Sequence, residues 1–192
     1  SHLKPSIASD IVLQGVQSHS PLYITPYVLG GLGQTSIIND SGTGYDLDGE
    51  FETEAGLDLK YGLTGNMTLD LTYNTDFAQV EADDQQVNLT RFSLFFPEKR
   101  QFFLERESNF DFRFYGRNRL FHSRRIGIHE GARVPILGGA RVYGRAGGWD
   151  IGFLSMQTEK IKALPSENFG VLRLRRQMFN PYSFVGGIMT SR

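Results

Sequence analysis

The sequence predicts an all-β fold: an antiparallel meander of long amphipathic strands, the N-terminal part of a transmembrane outer-membrane β-barrel, with a Phe/Arg-rich segment that turns inward like a plug. Three observations predict it. Residues 53–63 (TEAGLDLKYGL) and 66–74 (NMTLDLTYN) alternate apolar and polar side chains on either side of Thr64-Gly65, the signature of a β-hairpin. Each run is about 9–11 residues long, the length a tilted strand needs to cross an outer membrane. No run of about 18 apolar residues occurs, which excludes a membrane-spanning helix, whereas lipid-facing and lumen-facing residues alternate along a barrel strand and leave no such run.

Residues 1–20 show no period and read as a linker or upstream segment, with a partial barrel domain following over 21–192. LYITPYVLGGLG (22–33) is aromatic and β-branched, and Pro26 argues against a regular central strand there. QTSIINDSGTGYDLDGE (34–50) is rich in turn formers and acids and reads as a long loop. In the hairpin, Leu57, Leu59, Tyr61, Met67, Leu69, Leu71 and Tyr73 share the apolar face and are the expected lipid-facing set. Residues 76–90 are polar and irregular. The strand rhythm resumes at 135–147, 149–159, 168–179 and 182–192, with turn signals at Gly147-Gly148 and Asn180-Pro181. Seven strands are an odd number for a bacterial barrel, so the chain is expected to be part of a larger one.

Composition narrows the chemistry. The 192 residues are 40% hydrophobic and 21% charged and contain no cysteine. This is a globular composition without a disulfide framework or thiolate chemistry. The net charge of −1 is unevenly spread. Residues 1–90 carry 13 acids against Lys4 and Lys60 (−11), residues 91–125 nine bases against four acids (+5), and residues 126–192 the same (+5). Such a division can set opposed walls of a cavity.

The segment 91–125 holds nine of the fifteen phenylalanines and includes FFPEKRQFFLE (95–105). The strings VNLTRFSLFFPEKRQFFLE (87–105), LFHSRRIG (120–127), PILGGARVYGRAGGWDIGFL (135–154), DFAQVEAD (76–83) and GLDLKYGLTGNMTLDLTYNTDF (56–77) resemble the DUF5916 family over roughly residues 20–192. The resemblance implies a Gram-negative outer-membrane β-barrel region of the kind often found C-terminal to a carbohydrate-binding-module family 9-like domain. Gln101 stands where that family commonly has Pro, and His122 where it has Tyr. In a wide barrel a segment between strands can fold inward and narrow the lumen. The expected lumen or constriction residues are Phe95, Phe96, Glu98, Lys99, Arg100, Phe102, Phe103 and Glu105, with Phe92 in the same apolar cluster and Pro97 ending regular pairing. The alternative is a strand with an aromatic girdle.

Arg117, Arg119, Arg124 and Arg125 suit bidentate anion binding and extend the constriction set, against a plain reading as structural partners of acids. Asp76, Glu81, Asp83 and Asp84 are dense enough in oxygen ligands to suggest Ca²⁺, but lack the spacing and glycine of an EF-hand; no other cofactor is expected. His129-Glu130 is not an HExxH motif, Ser123 lies in no nucleophile elbow, and Glu98 with Glu105 would need a defined separation to act as a glycosidase pair. No catalytic residue is assigned. The expected function is an outer-membrane pore or transporter component that handles glycans or their fragments. Its expected partners are membrane lipid, a glycan or small anionic solute, and an outer-membrane protein, but not nucleic acid. The alternatives are a soluble antiparallel β carbohydrate-binding module and a glycoside hydrolase.

Overall fold

In the computed structural model the described residues are 15, 19–39, 42–75, 96–114, 118–129, 132–161, 164–180 and 182–192. The strands run β1 (Leu22–Ile38), β2 (Tyr45–Thr64) and β3 (Met67–Tyr73). A segment follows with the short helix α1 (Gln101–Leu104) and the two-residue strands β4 (Arg113–Phe114), β5 (Asn118–Arg119), β6 (Ile128–His129) and β7 (Ala132–Arg133). The chain then returns to long strands: β8 (Ile136–Ala146), β9 (Trp149–Thr158), β10 (Asn168–Gln177) and β11 (Phe184–Ser191). Seven of these form one antiparallel sheet in the order β1-β2-β3-β8-β9-β10-β11, while β4-β5 and β6-β7 are separate ladders. The sheet is open, with β1 and β11 at its edges. All seven expected strands are present. The predicted loop over 34–50 is not one: β1 and β2 stay paired out to Ile38 and Tyr45.

The reason lies in β2. Tyr45, Leu47, Gly49, Phe51 and Thr53 alternate with Asp46, Asp48, Glu50, Glu52 and Glu54, so a strand of period 2 is hidden in an acid-rich stretch. Pro26 sits in β1, an edge strand, where its missing N–H leaves no buried gap in the ladder. Gly56 faces Tyr27 across the ladder. A Cβ at Gly56 would lie 2.3 Å from the Tyr27 ring, so only glycine lets the ring cross the strand. At the β8–β9 turn, Gly147 and Gly148 both take positive φ (54° and 84°), as a tight hairpin turn requires.

The register gives each face of the sheet a distinct chemistry. Cross-strand partners point the same way, and one row runs across all seven strands: Leu22, Tyr61, Leu69, Val142, Phe153, Leu172 and Met189. The opposite face carries Lys60, Asp70, Arg141, Leu154 and Val171 in the adjacent row. Asn74 ends β3 in the left-handed region (φ 53°). Its side chain caps this unusual turn with a 2.7 Å hydrogen bond to the Ala55 carbonyl, and Asn is one of the few residues that tolerate the conformation.

Candidate functional site

The segment between β3 and β8 folds onto the charged face of the sheet. Its hydrophobic contribution is Phe102, Phe103, Phe110 and Ile126, which pack with Ile136, Tyr143, Leu154, Met156 and Val171 of β8, β9 and β10. Gly152 makes room for this docking. A Cβ there would lie 2.7 Å from the Asn109 carbonyl oxygen and 3.3 Å from the Phe110 ring. Phe102 and Phe103 meet edge to face at 5.2 Å between centroids, the arrangement that aligns ring edge with ring face.

The charges of the segment are arranged around Arg100, which is 1% exposed. Its Nε donates to Glu98 Oε1 at 2.9 Å and Nη2 to Glu98 Oε2 at 2.8 Å, a bidentate pair. The remaining donors reach the Ser123 carbonyl and the Ile126 carbonyl, each at 2.8 Å. Glu98 also accepts from the Ser123 hydroxyl at 2.6 Å and from the backbone N–H groups of Lys99 and Arg100. Phe103 covers the guanidinium at 4.2 Å. The string Glu98-Lys99-Arg100 is thus a buried knot that ties the start of the segment to residues 123–126. Burial pushes the Glu98 carboxyl up, but the Arg100 hydrogen bond and charge, with the Ser123 and backbone bonds, outweigh it and hold the group below its ordinary 4.5.

This depression has a sign. A carboxylate lowered in the folded state adds stability that is fully present above its unfolded pKa and is lost as pH falls through the lower folded value. Acid should therefore loosen the segment below the ordinary carboxylate range, and Glu98→Gln should flatten that part of the unfolding profile. A pH profile of near-ultraviolet circular dichroism, which reads the ordered rings of Phe102, Phe103 and Phe110 in the segment, checks it; an unchanged acid limb in Glu98→Gln would reject Glu98 as its source.

A second charge cluster joins segment and sheet. Arg141 on β8 bonds Asp70 on β3 through Nε at 3.1 Å and through Nη2, and donates from Nη1 to the Glu105 carbonyl at 2.8 Å. Its guanidinium lies 4.7 Å from the Phe102 ring and 4.8 Å from the Tyr143 ring. Lys60 pairs with Glu105, and Arg133 with Glu54. Further along the same face Asp150 bridges Arg145 at 2.7 Å and Arg175 at 2.6 Å.

The predicted constriction residues divide by position. Glu98, Arg100, Phe102, Phe103 and Arg124 are buried, so their side chains hold the segment together. Phe96 and Lys99 are half-buried, and the Phe96 carbonyl lies 2.9 Å from His122 Nε2. Burial lowers the Arg124 guanidinium pKa. Arg119 pairs with Glu107 at 3.2 Å and lies 3.7 Å from Asp111, both acids of the segment. Arg125 is exposed. Of the predicted constriction set, Phe102 and Glu105 line a groove of about 490 Å³, and Leu59 and Leu71 of the expected lipid-facing set also border it. Sequence did not single out Tyr23, Thr25, Asp58, Lys60, Asp70, Gln101 and Arg141. For the strand residues among them, period-2 placement opposite the apolar row was the available signal. Phe92, Phe95, Arg117 and the Ca²⁺ candidates Asp76, Glu81, Asp83 and Asp84 lie outside the described residues. Among the described residues, no cluster of His, Asp or Glu forms a metal site.

The DUF5916 family, a domain of unknown function, matches residues 21–134, more than half of the chain. The chain belongs to the DUF5916 family. The match begins one residue before β1 and ends just before β8, so the first three sheet strands and the folded-in segment are both part of what the family shares. No curated protein and no solved structure matches this DUF5916 chain.

Proposed function

We propose that this DUF5916 region is part of the wall of an outer-membrane β-barrel, a pore or transporter component for small hydrophilic solutes such as glycan fragments, with the segment 96–134 narrowing its lumen. The observation that carries this reading is the face turned away from the segment. Its cross-strand rows run from Tyr73 and Gly138 at one end to Trp149 and Ala146 at the other. Positions 138 to 146 on β8 span about 26 Å at ~3.3 Å per residue. Between those rows the outward positions of the described strands hold no charged residue. Arg176 stands beside Trp149 at the end, its guanidinium 5.3 Å from the ring.

An apolar band of about 25 Å flanked by aromatic residues is the lipid-facing surface of an outer-membrane barrel. In water the same face would be a costly one. Leu22, Ile24, Val28, Leu32, Phe51 and Met189 are each more than half exposed, and contiguous apolar patches of that extent are rare on soluble monomers. No helix among the described residues is long and apolar enough to cross a membrane, which leaves crossing by strands unaffected.

The test is membrane fractionation of the native protein, with a gel mobility that shifts on boiling as the sign of a closed barrel. Leu71→Arg puts a charge in the middle of the band and should cost about 2–4 kcal/mol of insertion stability, read as a loss of the heat-modifiable species. Thr25→Arg, at an exposed position on the opposite face across from Asp58, serves as the comparison for the side of the sheet. If Leu71→Arg inserts as well as the parent, the wall assignment is wrong.

A further inference from the structure

We propose that the groove between β1–β3 and the folded-in segment is the solute path, and that it favours cationic over anionic hydrophilic solutes. The inference rests on the pore reading above. The segment contacts the sheet unequally. Against β8, β9 and β10 it makes a continuous hydrophobic core, which closes that side to water. Against β1–β3 its recorded ties are polar: Lys60 to Glu105, Glu54 to Arg133, and Asp70 reached through Arg141. The groove of about 490 Å³ opens on that side, in the size range of sites for small solutes.

The lining sets the sign. Asp58, Asp70 and Glu105 face Lys60 and Arg141, three carboxylates against two cations. Arg141 and Asp70 are both buried, at 1% and 3% exposed, and pair with each other, as Lys60 does with Glu105, so the sign rests on the one carboxylate by which the lining exceeds its cations. Asp70 is 3% exposed, lines the groove, and its Oδ1 makes no hydrogen bond among the described residues. Asp46 and Asp48 lie on the same side of β2 as Asp58, outside the groove and toward the start of the strand, and Glu54 on that side is paired with Arg133. A low-dielectric cleft lined by one sign of charge concentrates ions of the opposite sign. Of the four arginines that suggested an anion path from sequence, Arg119 pairs with Glu107 and lies near Asp111, and Arg124 is buried; neither lines the groove.

The experiment is conductance of the full native chain in planar bilayers under a potassium chloride gradient, with the reversal potential giving ion preference. Parent channels should be cation-selective. Asp58→Asn should lower the potassium-to-chloride permeability ratio by ~2-fold or more, and Lys60→Gln should raise it. Because this chain has no cysteine, Tyr23→Cys offers a single thiol in the groove. A cationic methanethiosulfonate should block its current faster than an anionic one of similar size. Retained heat-modifiability shows that each variant has assembled. Channels that conduct but are anion-selective, ignore both charge changes, or pass current undiminished after labelling of Tyr23→Cys would overturn the groove proposal and leave the pore standing. Absence of any conductance from an assembled parent would overturn both.

Discussion

Arg100→Met should destabilise the segment by about 3–5 kcal/mol, the range expected when one partner of a buried ion pair is removed. Glu98 would be left with its side chain 0% exposed and only the Ser123 hydroxyl and two backbone N–H groups to offset its charge. The Ser123 and Ile126 carbonyls would lose their guanidinium donors at the same time. The effect should appear as cleavage by trypsin after Arg106, an exposed residue in the left-handed region at φ 56°, while the seven-stranded sheet persists. The double change Glu98→Gln with Arg100→Met removes the stranded charge and should recover a large part of the loss, because much of the cost of breaking such a pair is the unpaired ion. A single variant that resists protease like the parent would show that the knot is not what holds the segment.

Arg141→Met should bring a loss of similar size, about 3–5 kcal/mol, but at a different place. Arg141 joins its own strand β8 to two other pieces of chain, β3 through Asp70 and the segment through the Glu105 carbonyl and the Phe102 ring, and lies beside Tyr143 of β8. Its removal strands a carboxylate that is 3% exposed. The sheet itself should weaken at the β3–β8 contact, so the urea midpoint should fall along with protection of the segment. Combining it with Asp70→Asn should give less than the sum of the two single losses, since both act on one pair. Strict additivity would mean that the two side chains stabilise the protein independently.

The sheet was legible chiefly where alternation is clean: Leu57, Leu59, Leu69 and Leu71 alternate with polar partners in the β2–β3 hairpin. The other runs were read from aromatic and β-branched content and from turn signals, and on β9 and β10 the outward positions include Ser155, Gln157, Asn168 and Arg176. The stretch 34–50 was misread because its polar positions are nearly all acids. A loop and a strand with a carboxylate at every second residue look alike when composition is weighed before spacing. The segment was legible as an inserted apolar cluster and not as a structure. Glu98-Lys99-Arg100 reads as a solvated charge run, and nothing local says that Glu98 and Arg100 meet Ser123, a contact 25 residues away in sequence. The groove was hidden for the same reason: Tyr23, Lys60, Asp70 and Glu105 come together only through strand register and the docking of α1.

The order of strands also bears on how the chain reaches this structure. Five of the six pairings in the sheet join strands that follow one another with a short connection, and the sixth joins β3 to β8, bringing Tyr73 against Gly138. Hairpins form on a scale of about 1–10 μs, whereas closing a long loop carries a greater entropic cost before any contact rewards it. The three N-terminal strands and the four C-terminal strands can therefore zip separately. The step that unites them must wait for the intervening residues to compact, since the core they build lies on the C-terminal half. Seen this way, the Arg141–Asp70 pair sits across the slow seam of folding, and a substitution there should delay assembly more than an equally costly one in either half.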